Sequence, residues 1–159
     1  MKSTKSTLIA AFGNPLRGDD GVGLVVLEAL RQRPLGPHVE LVDGGTAGLE
    51  TALAFESRAR IILIDAADSG QAPGTVTQYS LTRQELAAQS FHPNSLHAAG
   101  LKEALTLAAV LGRLPPQITL YCVQPMTLGY QTGLSEAVHK AVSHLVQTIA
   151  DSIKTPAGR

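Results

Sequence analysis

Apolar and polar positions fall in blocks along the chain, and the blocks change period. Leu8–Phe12 is an unbroken apolar run that predicts a buried strand over Thr7–Phe12, stopped by Gly13. From Asp20 to Arg33 the period becomes helical. Val22, Val25, Val26, Ala29 and Leu30 stand at i, i+3, i+4, i+7 and i+8 and form one apolar stripe. Pro34, Gly36 and Pro37 close that helix. His38–Val42 predicts a second strand, followed by a DGGTAG turn and a short helix over Gly48–Phe55. Arg60–Ala66 contains IILID, apolar on both faces as the middle of a parallel sheet requires.

Pro73-Gly74 marks a turn before TVTQYSL, whose mixed polarity predicts an edge strand. Thr82 and Glu85 have the spacing of a capping box that opens a short helix. A further helix is predicted from an N-cap at Ser95 to about Leu111, with Leu101, Ala104, Leu105 and Ala108 on one face. Gln117–Val123 is another strand. Ser135 is placed to cap a last helix striped by Val138, Ala141, Val142, Leu145 and Ile149. This alternation predicts an α/β fold: a single three-layer domain over residues 1–159 (core 7–153), with an open, mostly parallel twisted sheet and helices on both faces. No internal repeat or low-complexity linker interrupts it, and Met1–Ser6 and Thr155–Arg159 read as loose ends.

Composition narrows the function classes. The 159 residues are 44% hydrophobic, enough for a sizeable core. Thirteen basic residues balance thirteen acidic ones, so neither a nucleic-acid footprint nor a polybasic membrane segment is present. The apolar run after Lys2 and Lys5 is too short for a signal peptide, and no stretch approaches the roughly 20 apolar residues of a membrane span. A soluble cytoplasmic protein is the expectation. The one cysteine, Cys122, excludes an internal disulfide framework and a Cys-rich zinc site. It lies inside the apolar strand ITLYCV, so a buried, inert thiol is expected.

In parallel α/β sheets, sites form at the carboxyl ends of strands, which directs attention to the loops after Phe12, Val42, Ile64 and Val123. The first loop, GNPLRGDDGVG, is a near miss for a phosphate loop. Gly13 and Gly18 have the spacing, but Asp19 and Asp20 stand where a lysine and a hydroxyl are needed. The dinucleotide pattern G-x-G-x-x-G is also absent, so no nucleotide cofactor is expected. Two carboxylates at a helix start suit the helix dipole and a cation, and they repel phosphate. One acidic residue there ordinarily caps the helix; a second needs another explanation, such as projection into the crevice, with Arg17 available to neutralise the pair. Gly21 and Gly23 in a first helical turn imply close approach by another backbone or a bound partner.

Asp65 ends the apolar run IILID, where an ionised carboxylate is costly unless paired or metal-bound; the alternative is an aspartate that turns the chain. Asp68 belongs to ordinary loop chemistry. His97 falls in the predicted first turn of a helix, a position that disfavours imidazolium and favours the neutral, metal-binding imidazole. A backbone hydrogen bond is the competing reading of His97, and His92, before Pro93, is a rival ligand. His139 and His144 read as surface residues of the last helix. Two carboxylates and an imidazole form a mixed oxygen–nitrogen set suited to a divalent ion such as nickel or zinc. There is no H-E-x-x-H helix and no G-x-S-x-G elbow, so hydrolysis would rely on metal-activated water or a carboxylate base.

The ordered run GNPLRGDDGVG, DGGTAG, IDA, SLHAAGL and QPMTLGYQTGLS resembles the nickel–iron hydrogenase maturation endopeptidase family, from Leu8 to about Ile149. The resemblance implies an endopeptidase that removes a C-terminal extension from the hydrogenase large-subunit precursor after nickel insertion. It implies Asp20, Asp65 and His97 as metal-contacting residues, Asp20 and Asp65 as catalytic carboxylates, and Gly44, Gly45 and Thr46 as a substrate-handling turn. The nickel would be supplied by the substrate and act as the recognition element. Aspartic-type and metal-dependent mechanisms both remain compatible. The alternative function is a non-proteolytic metal-binding or chaperone-like module that grips the same precursor.

Overall fold

The apolar runs lie side by side as strands β1 (Thr7–Phe12), β2 (Val39–Gly45), β3 (Arg60–Ala66), β4 (Val76–Leu81) and β5 (Gln117–Val123). They form one sheet in the order β2-β1-β3-β5-β4, parallel throughout except for β4, which runs antiparallel to β5 at the edge. This computed structural model describes residues 6–45, 48–87 and 101–154. The helices are α1 (Val22–Arg31), α2 (Gly48–Ala54), α3 (Arg83–Ala87), α4 (Leu101–Val110) and α5 (Glu136–Lys154). None of them is long and apolar enough to cross a membrane.

Because side chains alternate across a strand, the central strands feed two cores. Leu8, Ala10, Phe12, Ile61 and Leu63 pack with Ala52 and Phe55 from the α2 region and with Leu101, Ala104, Leu105 and Ala108 of α4. Ile9, Ala11, Ile62 and Ile64 pack on the other face with Val22, Val26, Leu27 and Leu30 of α1 and Val138, Leu145, Val146 and Ile149 of α5. Each fully buried Leu, Ile or Val contributes about 1.5–3 kcal/mol. The helices therefore cover both faces, as the strand–helix alternation predicts.

Local signals are mostly realised. The capping box forms: the Thr82 N–H donates to Glu85 Oε2 at 2.9 Å, and the Glu85 N–H to Thr82 Oγ1 at 3.1 Å. The apolar face expected for α4 is buried throughout, while the predicted N-cap Ser95 lies outside the described residues. Two elements, α1 and β2, differ from expectation. The first helix does not start at Asp20; a 3-10 turn over Gly18–Gly21 precedes α1. The phase of α1 is also rotated, so that Val25 is 39% exposed and Leu27 is buried. Gly23 lies on the buried face, close against the sheet's end: a Cβ there would lie 2.9 Å from the Phe12 carbonyl oxygen and 3.0 Å from that of Ile64. Finally, β2 runs on through Asp43, Gly44 and Gly45, with a bulge that pairs Phe12 with Gly45. The neighbouring β1 still offers backbone groups at that level, and a strand takes them up.

Candidate active site at the carboxyl ends of the central strands

The two adjacent carboxylates of the first loop do different work, and neither caps α1. Asp19 is fully buried. Its Oδ2 accepts the Met126 N–H (2.8 Å), the Thr127 N–H (3.2 Å) and the Ser135 hydroxyl (2.8 Å), and its Oδ1 accepts the Ser135 N–H (2.7 Å). Burial pushes this carboxyl up, but the hydrogen bonds from Ser135, Met126 and Thr127 outweigh it and hold the group below its ordinary value. Asp19 is thus a latch between the first loop and the segment before α5. Ser135 stands directly before α5 as expected, yet its hydroxyl donates to Asp19.

Asp20 is partly exposed, and its Oδ2 accepts the Asn14 N–H at 2.8 Å, which orients the carboxylate within its own loop. Gly13 makes this turn possible: its φ is +123°, and a Cβ would run into the Asp20 carbonyl oxygen. Arg17 does not neutralise the pair. Its Nε donates to the Leu128 carbonyl at 3.2 Å, and its guanidinium lies over the Tyr130 ring, 5.9 Å from the centroid.

Asp65, the penultimate residue of β3, has no exposed surface. Its Oδ1 accepts the Ala66 N–H at 2.8 Å, and its Oδ2 is buried without a hydrogen-bond partner among the described residues. Burial, reinforced by the charge of Asp20, pushes the carboxyl up to about 8 against the opposing Ala66 bond. The electrostatic link joins two of the expected site residues, Asp20 and Asp65, at the ends of β1 and β3. A buried carboxylate oxygen without a partner among the described residues invites either a proton or a cation. A divalent ion fits that donor.

Cys122 is the register partner of Asp65 across β3 and β5. Burial, and then the charge of Asp65, push its thiol up to about 12, so it remains an S–H as the apolar strand suggests. Gly44 and Gly45 lie at the end of β2 beside Phe12, where a Cβ on Gly44 would lie 2.9 Å from both the Ala11 carbonyl oxygen and the Phe12 ring. Close packing requires a glycine at position 44. Thr46, His92 and His97 lie outside the described residues. Among the described residues no group of three His, Cys, Asp or Glu side chains converges as a metal site.

Sequence reasoning did not single out Gln124, a buried amide at the end of β5. Its Oε1 accepts the Ser69 N–H (2.8 Å) and its Nε2 donates to Asp68 Oδ1 (3.0 Å) and the Pro125 carbonyl (3.1 Å), fixing the loop after β3. Its place directly after an apolar strand and before a proline was the one available signal.

A sequence model of the hydrogenase maturation protease family, described as HycI, matches residues 24–152. The chain belongs to this family. The hydrogenase 2 maturation protease of Escherichia coli is 32% identical over 149 residues, covering 92% of this chain and 90% of its own. The hydrogenase expression/formation protein HoxM of Cupriavidus necator is 35% identical over 147 residues, covering 90% of this chain and 71% of its own. The solved structure of the hydrogenase maturating endopeptidase HybD from E. coli superposes with a TM-score of 0.80 at 31% identity, over 93% of this chain and 91% of that one. This hydrogenase maturation protease is therefore a hydrolase, an endopeptidase of hydrogenase maturation. The family model matches from residue 24 onward, beyond Asp20, while the alignment with the E. coli protease covers 92% of the chain and takes in the acidic loop.

Proposed function

We propose that this endopeptidase removes a C-terminal extension from the large-subunit precursor of a nickel–iron hydrogenase after nickel insertion, and that Asp20, Asp65 and His97 read the substrate's nickel. One observation carries the reading: the buried Oδ2 of Asp65, without a hydrogen-bond partner among the described residues, beside the charge of Asp20. Without a cation, Asp65 keeps its proton at neutral pH. A divalent ion carried by the substrate supplies the positive charge that lets Asp65 ionise. Affinity then differs between loaded and unloaded precursor, which is the basis of selectivity. The donor set favours a cation such as nickel over a nucleotide, because two acidic side chains repel phosphate; delivery of that nickel by the substrate is what the resemblance implies.

The two carboxylates divide the chemistry by accessibility. Asp65 is closed to solvent and holds the cation side of the site. Asp20 is reachable from solvent and is oriented by the Asn14 N–H, so it is the group positioned to accept a proton from an attacking water. We assign substrate handling to Gly44, Gly45 and Thr46, as the resemblance implies; Gly44 and Gly45 end β2, the strand beside β1. We assign the reaction to the cytoplasm, in keeping with balanced charge and a single cysteine.

The test is incubation of purified, nickel-loaded precursor with the wild type and with Asp20→Asn, Asp65→Asn and His97→Ala. Mass spectrometry then follows the large subunit. The wild type should shorten it, and the three variants, folded by circular dichroism, should leave it intact. Normal processing by Asp65→Asn and His97→Ala would remove the proposed site. A stable but uncut complex with the wild type would replace proteolysis by a gripping role.

A further inference from the structure

The first loop and the segment before α5 are locked together, yet they expose large side chains. Leu16 is 63% exposed, Met126 68% and Tyr130 90%. Between the loops, the Gly18 N–H donates to the Gln131 carbonyl at 2.7 Å and the Asp19 N–H to that of Thr127 at 3.2 Å. Arg17 adds its bond to Leu128 and its stacking on Tyr130. Beneath them the buried Asp19 carboxylate fastens Met126, Thr127 and Ser135.

Single exposed apolar residues on loops are ordinary. Here a carboxylate is taken out of water, at a desolvation cost, to hold these particular loops in one arrangement. Preorganisation of that kind lowers the entropy lost on binding. The side-chain types match as well: Tyr, Met and Arg are enriched at protein interfaces, and Tyr and Arg are enriched among hot spots. Among the described residues no carboxylate pairs with Arg17, so its charge is available to a partner. The surface and the candidate site share one loop, because Arg17 immediately precedes the turn that carries Asp20.

We propose that Leu16, Arg17, Met126 and Tyr130 form a docking surface for the hydrogenase precursor, engaging a segment that presents an apolar side chain next to a carboxylate. The inference rests on the reading of the precursor as substrate. The apolar side chain packs among Leu16, Met126 and the Tyr130 ring, and the carboxylate pairs with the Arg17 guanidinium. This surface selects the precursor; it takes no part in bond cleavage.

The test is steady-state processing of purified nickel-loaded precursor by the wild type, Arg17→Glu, Tyr130→Ala and, as a charge-reversal control on exposed α5, Lys140→Glu. Arg17→Glu and Tyr130→Ala should raise KM about tenfold with kcat within about twofold of the wild type, and Lys140→Glu should change neither. Unchanged KM in both loop variants overturns the inference, as does a loss confined to kcat. A concentration-dependent wild-type dimer abolished by Arg17→Glu also overturns it, by assigning the surface to a second copy of the chain. If the wild type cuts no precursor, the substrate reading fails on its own. Docking is then read from surface plasmon resonance of the precursor on the same four proteins, where undiminished binding by both loop variants overturns it.

Discussion

Asp19 and Ser135, 116 positions apart, are joined twice: the Ser135 N–H meets Asp19 Oδ1 at 2.7 Å and its hydroxyl meets Oδ2 at 2.8 Å. An amide at position 19 would turn an NH2 group towards N–H donors. Asp19→Asn is expected to cost about 3 kcal/mol of stability at neutral pH, measured by urea unfolding, and Ser135→Ala about 1 kcal/mol. The folded-state value of Asp19 is depressed, so its contribution is present above the ordinary 3.8 and is lost as pH falls through the lower folded value. The gap between wild type and Asp19→Asn should therefore narrow only in strong acid. A gap that closes already near pH 5 would contradict this account.

Asp65 has the opposite sign. Its folded-state value is raised to about 8 from 3.8, so the folded protein holds a proton that the unfolded chain releases. Its favourable contribution is complete below about pH 4 and disappears as pH rises to about 8. Asp65→Asn should flatten that decline in an unfolding series across this range. An unchanged slope would show that Asp65 is not the buried acid.

A cation must displace the same proton. Titration calorimetry of nickel ion into the protein, run in buffers of different ionisation enthalpy, should show proton release below pH 8 and tighter binding as pH approaches 8. Asp65→Asn should abolish both. Binding that ignores pH would place the ion elsewhere.

Gly23 holds α1 against the sheet end. Gly23→Ala would drive a methyl into the carbonyl oxygens of Phe12 and Ile64. The expected cost is about 2 kcal/mol in thermal or urea unfolding, despite the better helix propensity of alanine. Activity should fall further than stability alone explains, because α1 continues from the turn that holds Asp20.

Cys122 should resist labelling. With its thiol pushed up to about 12 and its side chain buried, the native protein at pH 8 should react with a disulfide reagent far more slowly than the urea-unfolded chain. Equal rates would place the thiol at the surface.

Much of this molecule is written locally. Doubly apolar runs dictate β1 and β3 in the middle of a sheet, helical spacing dictates which face of α4 is buried, and the Thr82–Glu85 spacing dictates a capping box that forms as expected. A carboxylate ending an apolar strand is recognisable as costly, which is why Asp65 stands out. These features depend on neighbours within a turn or a strand, and burial imprints a period on the sequence. The division of labour between Asp19 and Asp20 carries no such period. It depends on Met126, Thr127 and Ser135 arriving from the far end of the chain, and one Asp of an adjacent pair looks like the other until that loop is in place. The rotated phase of α1 and the anchoring amide of Gln124 have the same origin. Local periodicity encodes which face is buried, whereas the partner of a buried polar group is chosen by contacts between segments far apart in sequence, and only the folded sheet brings those segments together.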